Sequence, residues 1–553
     1  MNNLFKGLIL FFISLATLLS CSPENIKNDY SSDKFFLKKE KKAEEQNSKP
    51  TNSISFSYSA NESVLKDNNE IAIEHNTEEY AHIVENEFKD AIQNPLSTFS
   101  IDVDNASYSN IRRYIQGNQL PPKDAIRIEE MINYFDYNYP QPKGEHPFSI
   151  TTETVKSPWN KENYLVMIGL QGKKPDYDSL KPCNLVFLID SSGSMSSENK
   201  LPLLKKSLNL LLDQLNDRDK IAIVAYAGSA GLILPSISAA KKNEIIDAFD
   251  SLKAGGSTAG GAGLALAYKT AAENLIKDGN NRVILCTDGD FNIGVSSTSE
   301  LVRMLEEYRK KDIYLTICGY GMGNLKDSRM EQMSQAGNGN YFYIDTIKEA
   351  EKVFVKEMRA NMFTIAKDVK IQVEFNPSVV KGYRLIGYEN RILANEDFND
   401  DTKDAGELGA GHRVTALYEI APLGSNQIIR KSDELKYQKS KSDFNKNSDK
   451  NEILTIKFRY KHPDQEKSNL IEHSVKNAVT SFEKSSENIR FASAVIGFGM
   501  LLRDSKFKSE LTYDKVIDMA KNSKGKDTDG YRNEFISLVE TSKLLTPKQQ
   551  KQK

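Results

Sequence analysis

Net charge is almost absent from this sequence: 74 Lys and Arg stand against 76 Asp and Glu, a formal charge of -2. A protein steered onto nucleic acid carries a basic surplus, so no nucleic-acid partner is expected. Histidine is scarce, at six, and the six are scattered without ligand spacing. Cysteine is scarcer, at four. Three of these, Cys183, Cys286 and Cys318, sit in or beside apolar runs ("KPCNLVFLI", "RVILCTD", "IYLTICGYG") and read as small core residues. Their odd number excludes full internal pairing, and no disulfide framework is expected. Long apolar runs are missing beyond the N-terminus; "ASAVIGFGMLL" falls short of the ~20 residues a bilayer span needs and reads as a buried helix.

What is present begins with the first 21 residues. One Lys, an apolar run from Gly7 to Leu19 and a small residue before a polar chain form a secretory signal. Leu18-Leu19-Ser20-Cys21 resembles the lipobox of bacterial lipoproteins, in which the cysteine is diacylated and becomes the mature N-terminus. That resemblance implies a lipid anchor at Cys21 holding the protein to a membrane. Ser22 after it is compatible with sorting to the outer membrane rather than the inner one.

At 553 residues the chain is too long for one ordinary core, and its texture changes along its length. Residues 1–20 read as signal peptide and 21–95, rich in Lys, Glu, Asn and Ser, as a flexible tether. Residues 96–180 mix helical spacing ("SNIRRYIQ", "KDAIRIEEMINYF") with strand-like runs ("PFSITTETVKSP", "NYLVMIGLQG"). From 181 to 362 purely apolar strands alternate with amphipathic helices, the pattern of a largely parallel sheet covered on both faces. This is a doubly wound, Rossmann-like α/β domain. Residues 363–546 return to strands and then turn helical. Strands on both sides of the α/β unit suggest a β-rich domain into which it is inserted. The stretch from Arg430 to Lys450 is charged and low in complexity and reads as an exposed loop.

The chemistry collects where apolar strands stop. "NLVFLIDSSGSMSS" runs into Asp190, Ser192 and Ser194, spaced Asp-x-Ser-x-Ser at the carboxyl end of the first strand of the α/β domain. Ligands gather at that end of open α/β sheets. Alternate residues of a tight turn can aim three oxygens at one point, a donor set for a hard cation rather than zinc. "AGGSTAGGAG" adds Ser257 and Thr258 among glycines, and "LCTDGDFNIG" places Asp288 at the end of another buried strand.

"DSSGSM", "GGSTAG" and "TDGD", in that order, resemble the metal-ion-dependent adhesion site of von Willebrand factor type A (VWA) domains. The resemblance implies direct binding of a divalent ion by Ser192 and Ser194, a third hydroxyl from Thr258, and water-mediated contacts from Asp190 and Asp288. Mg²⁺ is the first choice, with Mn²⁺ or Ca²⁺ as alternatives. Few charged donors touch such an ion, which keeps a position free for a carboxylate from a protein partner. The site is built for binding: no His lies in the motif loops to activate a hydroxyl. Flanking stretches, among them "STFSIDVDNASYSNIRRYIQGNQLPP", "DAGELGAGHRVTALYEI" and "GYRNEFISLV", resemble the bacterial YfbK-type lipoproteins with such a domain. An envelope binding protein, not an enzyme, is implied. An envelope scaffold with a structural ion is the alternative.

Three other motifs read more plainly. Asp102 and Asp104 in "IDVDNAS" form a turn, since neither a phosphotransferase nor a calcium-loop pattern fits around them. "GELGAGH", Gly406 to His412, is expected to be a hairpin connection, lacking the Lys-Ser/Thr ending of a phosphate loop. "GYGMGN", Gly319 to Asn324, is a glycine-rich loop at a strand end, either plain or forming the rim of the metal face.

Overall fold

The computed structural model describes residues 77–174, 180–258, 260–289, 291, 298–431, 433 and 449–547. The signal peptide, Cys21, the tether as far as residue 76 and most of the charged loop after Arg430 lie outside the described residues.

In chain order the strands are β1 (Lys89–Asp90), β2 (Leu96–Ser100), β3 (Phe148–Lys156) and β4 (Tyr164–Gly172), then β5 (Cys183–Asp190), β6 (Lys220–Tyr226), β7 (Ala230–Ser238), β8 (Asn280–Thr287), β9 (Ile313–Tyr320) and β10 (Tyr341–Ile344). After them come β11 (Thr364–Phe375), β12 (Val380–Ile386), β13 (Gly406–Gly409), β14 (Arg413–Pro422), β15 (Glu452–Lys461) and β16 (Asn469–Lys476).

Strands β5 to β10 form one sheet of order β10-β9-β8-β5-β6-β7, parallel except for β7, which runs antiparallel at one edge. Except in the half-exposed edge strand β7, their apolar runs are continuous because both faces are covered. On β5, Leu185, Phe187 and Ile189 enter one core with the helix Leu201–Leu212, while Val186 and Leu188 enter a second with the helix Gly260–Glu273. Cys183, Cys286 and Cys318 are buried free thiols, the last two facing each other across β8 and β9. The chain leaves β5 for β6 on one side, and β8 pairs with β5 on the other, so strand order reverses at β5. A reversal of this kind opens a crevice beyond the strand carboxyl ends, and Asp190 is the last residue of β5.

The remaining strands build two antiparallel sheets that share a core. One has the order β1-β12-β14-β4-β3, the other β13-β11-β15-β16 with β2 also pairing β11. Strand β4 precedes the α/β unit and β14 follows it, yet they pair from Tyr164↔Ile420 to Arg413↔Gln171. The α/β unit is therefore inserted into a β-rich domain.

The C-terminal helices Glu487–Arg503, Tyr513–Lys521 and Tyr531–Leu545 pack with the early helices Ala106–Gln116 and Ile128–Asn133 around a fourth core. The first of them is apolar on nearly every side because neighbours surround it. Gly499 lets it close on Ile128, whose Cγ1 lies 2.8 Å from where a Cβ would stand. No helix among the described residues is long and apolar enough to cross a membrane.

Two expectations need correction. Residues 77–95 are docked rather than a flexible tether. Thr77 and Glu79 donate main-chain N–H groups to Gly323 O (2.8 Å) and Leu325 O (2.9 Å), and β1 pairs with β12. Arg113 pairs with Glu78 at 2.7 Å; burial pushes that carboxyl up, but the guanidinium together with hydrogen bonds from Tyr114 and Gly323 N outweighs it and holds the pKa at about 2. The segment looked like linker because polar contacts and only two buried apolar residues, Phe88 and Ala91, hold it, too few to make a periodic stripe. "GELGAGH" is not a hairpin either: Gly406–Gly409 is β13 of one sheet, and the chain crosses at His412 into β14 of the other. Its glycines serve close approach, since a Cβ on Gly409 would lie 1.8 Å from Ala360 O.

Candidate metal-dependent binding site

Asp190 is fully buried where β5 meets the next loop. Its Oδ1 accepts from Ser192 N at 2.9 Å, and its Oδ2 from the Tyr226 hydroxyl at 3.0 Å and Thr287 Oγ1 at 3.2 Å. Burial raises its carboxyl above the ordinary value, opposed by the hydrogen bonds from Ser192 and reinforced by the charge of Asp288. The Asx turn at Asp190 throws Ser192 and Ser194 to one side, with Ser192 Oγ 3.0 Å from Ser194 Oγ.

The second loop is pinned to the first through the main chain. Gly255 N donates to Ser191 O at 2.8 Å, and Gly193 N donates to Gly256 O at 3.1 Å. Gly256, in this pinned stretch two residues before Thr258, holds φ +83, a left-handed conformation that glycine adopts readily. Among the described residues the Thr258 hydroxyl makes no hydrogen bond to the other four candidates. Asp288, one residue past β8, is fully buried. Its Oδ2 accepts from Lys200 Nζ at 2.9 Å and from Asn324 Nδ2 at 3.4 Å. Gly289, at φ +105, has no room for a side chain: a Cβ would lie 2.6 Å from Asn324 O. The Gly319 to Asn324 loop thus forms the rim, reaching both Asp288 and Lys200.

The donor set fits a hard divalent ion. Every candidate group is an oxygen, and the 3.0 Å between the two serine hydroxyls matches the edge of a Mg²⁺ octahedron, about 3.0 Å for bonds of about 2.1 Å. Among the described residues no cluster of three or more His, Cys, Asp or Glu could hold a metal. Hydroxyl-rich sites are built without such a cluster.

Reading the sequence missed Lys200, Tyr226, Thr287 and Asn324. Thr287 stands inside the quoted "TDGD" motif and Asn324 closes "GYGMGN"; nothing in the local sequence distinguishes the other two. Asp102 and Asp104 form the expected turn, with Asp104 N donating to Asp102 Oδ1 at 2.9 Å, and Arg391 locks both, at 3.0 and 3.2 Å. A polar cavity of about 220 Å³ opens beside them, lined in part by Arg282 and Glu407. It lies at the amino-terminal end of β8, opposite Asp190.

Three family models match the chain: "von Willebrand factor" over residues 74–167, "von Willebrand factor type A domain" over 184–356, and "Uncharacterized protein YfbK, C-terminal" over 360–545. The chain is 42% identical over 481 residues to "Uncharacterized protein YfbK" of Escherichia coli strain K12, covering 85% of this chain and 82% of that protein. The chain belongs to the YfbK family. Its α/β unit is a VWA domain, a class that generally mediates contact between proteins. More distantly, this YfbK-family chain is 28% identical over 158 residues to human inter-alpha-trypsin inhibitor heavy chain H4, over 27% of this chain and 17% of that one. A solved von Willebrand factor type A protein from Catenulispora acidiphila has a TM-score of 0.39 at 15% identity, over 72% of this chain and 91% of that one. A likeness that distant carries no functional argument.

Proposed function

We propose that this YfbK-family chain is an envelope lipoprotein whose VWA domain captures a protein partner through a divalent ion, Mg²⁺ in the first place. Ser192 and Ser194 would hold the ion directly, Thr258 would add a hydroxyl when the partner engages, and Asp190 and Asp288 would act through water. An acidic side chain of the partner would take the remaining position. One observation carries the reading: two hydroxyls 3.0 Å apart, flanked by two buried carboxylates, at the point where strand order reverses. The lipid anchor rests on the lipobox at Cys21, with the outer membrane as the favoured destination.

A metal-dependent hydrolase would need a general base beside the ion, and the motif loops carry no histidine. The scaffold reading, with a structural ion, is disfavoured by Lys200, whose ammonium already offsets the buried charge of Asp288.

The test is recovery of partners from an envelope extract by the full chain with Mg²⁺ or with chelator, with circular dichroism recorded in both. Binding that disappears with chelator while the fold persists supports capture through the ion. Unfolding by chelator favours the scaffold, and recovery unaffected by chelator contradicts a metal-dependent contact.

A further inference from the structure

We propose that Lys200 is a tethered cation that competes with the divalent ion for Asp288 and so sets how tightly the site holds metal; the proposal rests on the metal-binding reading above. Lys200 Nζ stands 2.9 Å from Asp288 Oδ2, and the two side chains are 8% and 0% exposed. Its position is built, not incidental. Lys200 N donates to Ser197 O at 2.9 Å and its carbonyl accepts from Leu204 N at 2.8 Å, fixing the residue between the serine turn and the helix Leu201–Leu212. The side-chain stem lies against Gly321, where a Cβ would meet Lys200 Cε at 2.3 Å and Cγ at 2.4 Å. Gly321 has φ +74, and its carbonyl accepts from the Tyr343 hydroxyl, so the surface carrying the stem is itself held.

An ammonium bonded to one oxygen of a carboxylate lies within about a nanometre of any ion that carboxylate helps to hold, even through an intervening water, and with little solvent between them. Out of water, two positive charges at that distance repel strongly. The ion must either push Lys200 off Asp288 or bind in its field, and both weaken its hold. A second consequence concerns the partner. With the ion bound, two carboxylates face a divalent cation and an ammonium, leaving one net positive charge to attract an acidic side chain. Lys200 exchanges metal affinity for affinity toward an anion.

The test is calorimetric titration of Mg²⁺, and separately Mn²⁺, into the full chain and into Lys200→Met, Lys200→Gln and Lys200→Arg variants, with thermal unfolding of each. The neutral variants are expected to bind at least about tenfold more tightly than the parent, and Lys200→Arg, which keeps the charge, within about threefold of it. Without metal the neutral variants should unfold earlier, and Mg²⁺ should restore more of their stability than it adds to the parent. Lys200→Gln stands in if Lys200→Met does not fold. Parent and neutral variants binding alike would overturn the competitor role and leave the metal site standing, with Lys200 only a structural counter-ion. Absence of binding in every protein would overturn the metal reading and this proposal with it.

Discussion

The hydroxyl of Tyr226, at the end of β6, donates to Asp190 Oδ2 at the end of β5 over 3.0 Å, with both side chains fully buried. The bond orients the acid that opens the serine turn, so the aromatic core beneath the sheet end is part of the site's construction. Tyr226→Phe keeps the packing and removes one of three hydrogen bonds to a buried carboxylate. Loss of about 1–3 kcal/mol in denaturant unfolding is expected, together with weaker Mg²⁺ binding. Unchanged stability would mean that Asp190 is held without the phenol.

A second prediction concerns pH. Glu129 and Glu130 are buried beside other acids. Burial, with the charge of Glu389 adding to it, pushes Glu129 up to about 8, and burial pushes Glu130 up to about 7. A carboxyl whose folded pKa exceeds its unfolded one stabilises the fold while protonated, fully so below the unfolded value. That contribution is lost as pH rises through the folded value. The urea midpoint is therefore expected to fall between about pH 4.5, the ordinary carboxyl value, and about pH 8, and Glu129→Gln should flatten the slope. A midpoint that rises across this window would contradict the assignment.

Arg112 joins three parts of the fold. Its Nε donates to Asp345 Oδ2 at 2.7 Å, one η nitrogen to Glu349 Oε2 at 2.7 Å and the other to Glu534 Oε1 at 3.0 Å. Those acids come from the end of the α/β unit and from the last helix, whereas Arg112 belongs to the helix Ala106–Gln116. Arg112→Met strands buried carboxylates, and a loss of about 3–5 kcal/mol is expected in equilibrium unfolding. A loss under about 1 kcal/mol would show that the network is not cohesive.

The strap at Thr77 to Glu79 should be visible by hydrogen exchange. Thr77 N and Glu79 N donate to the 323–325 loop, and Gly323 N donates to Glu78 Oε1 at 2.9 Å. These three amides are expected to exchange at least about a hundredfold more slowly than free peptide, and Arg113→Ala should release them. Exchange at the free rate in the parent protein would contradict the docking.

Legibility in the sequence followed the physics of each element. Strands β5, β6, β8 and β9 were readable because burial on both faces leaves uninterrupted apolar runs, and Asp190, Ser192, Ser194 and Asp288 because they stand where those runs stop. The 77–95 segment was not, since ion pairs and main-chain bonds hold it and leave little apolar pattern. Lys200 was hidden because its partner lies 88 residues away, and Tyr226 because its phenol reaches Asp190 across 36 residues. The helix Asp327–Ala336 escaped notice within a glycine-rich stretch. Gly406–Gly409 passed for a turn because glycines that admit a neighbouring backbone look like glycines that bend a chain.

The central claim is that the serine turn and its two flanking acids hold a divalent ion. Calorimetric titration of Mg²⁺ into the full chain, beside Ser192→Ala and Asp288→Ala variants of confirmed fold, tests it most directly. One-site saturable binding by the parent, lost in both variants, is the predicted result. Absence of binding by the parent, or binding that survives both substitutions, would contradict it.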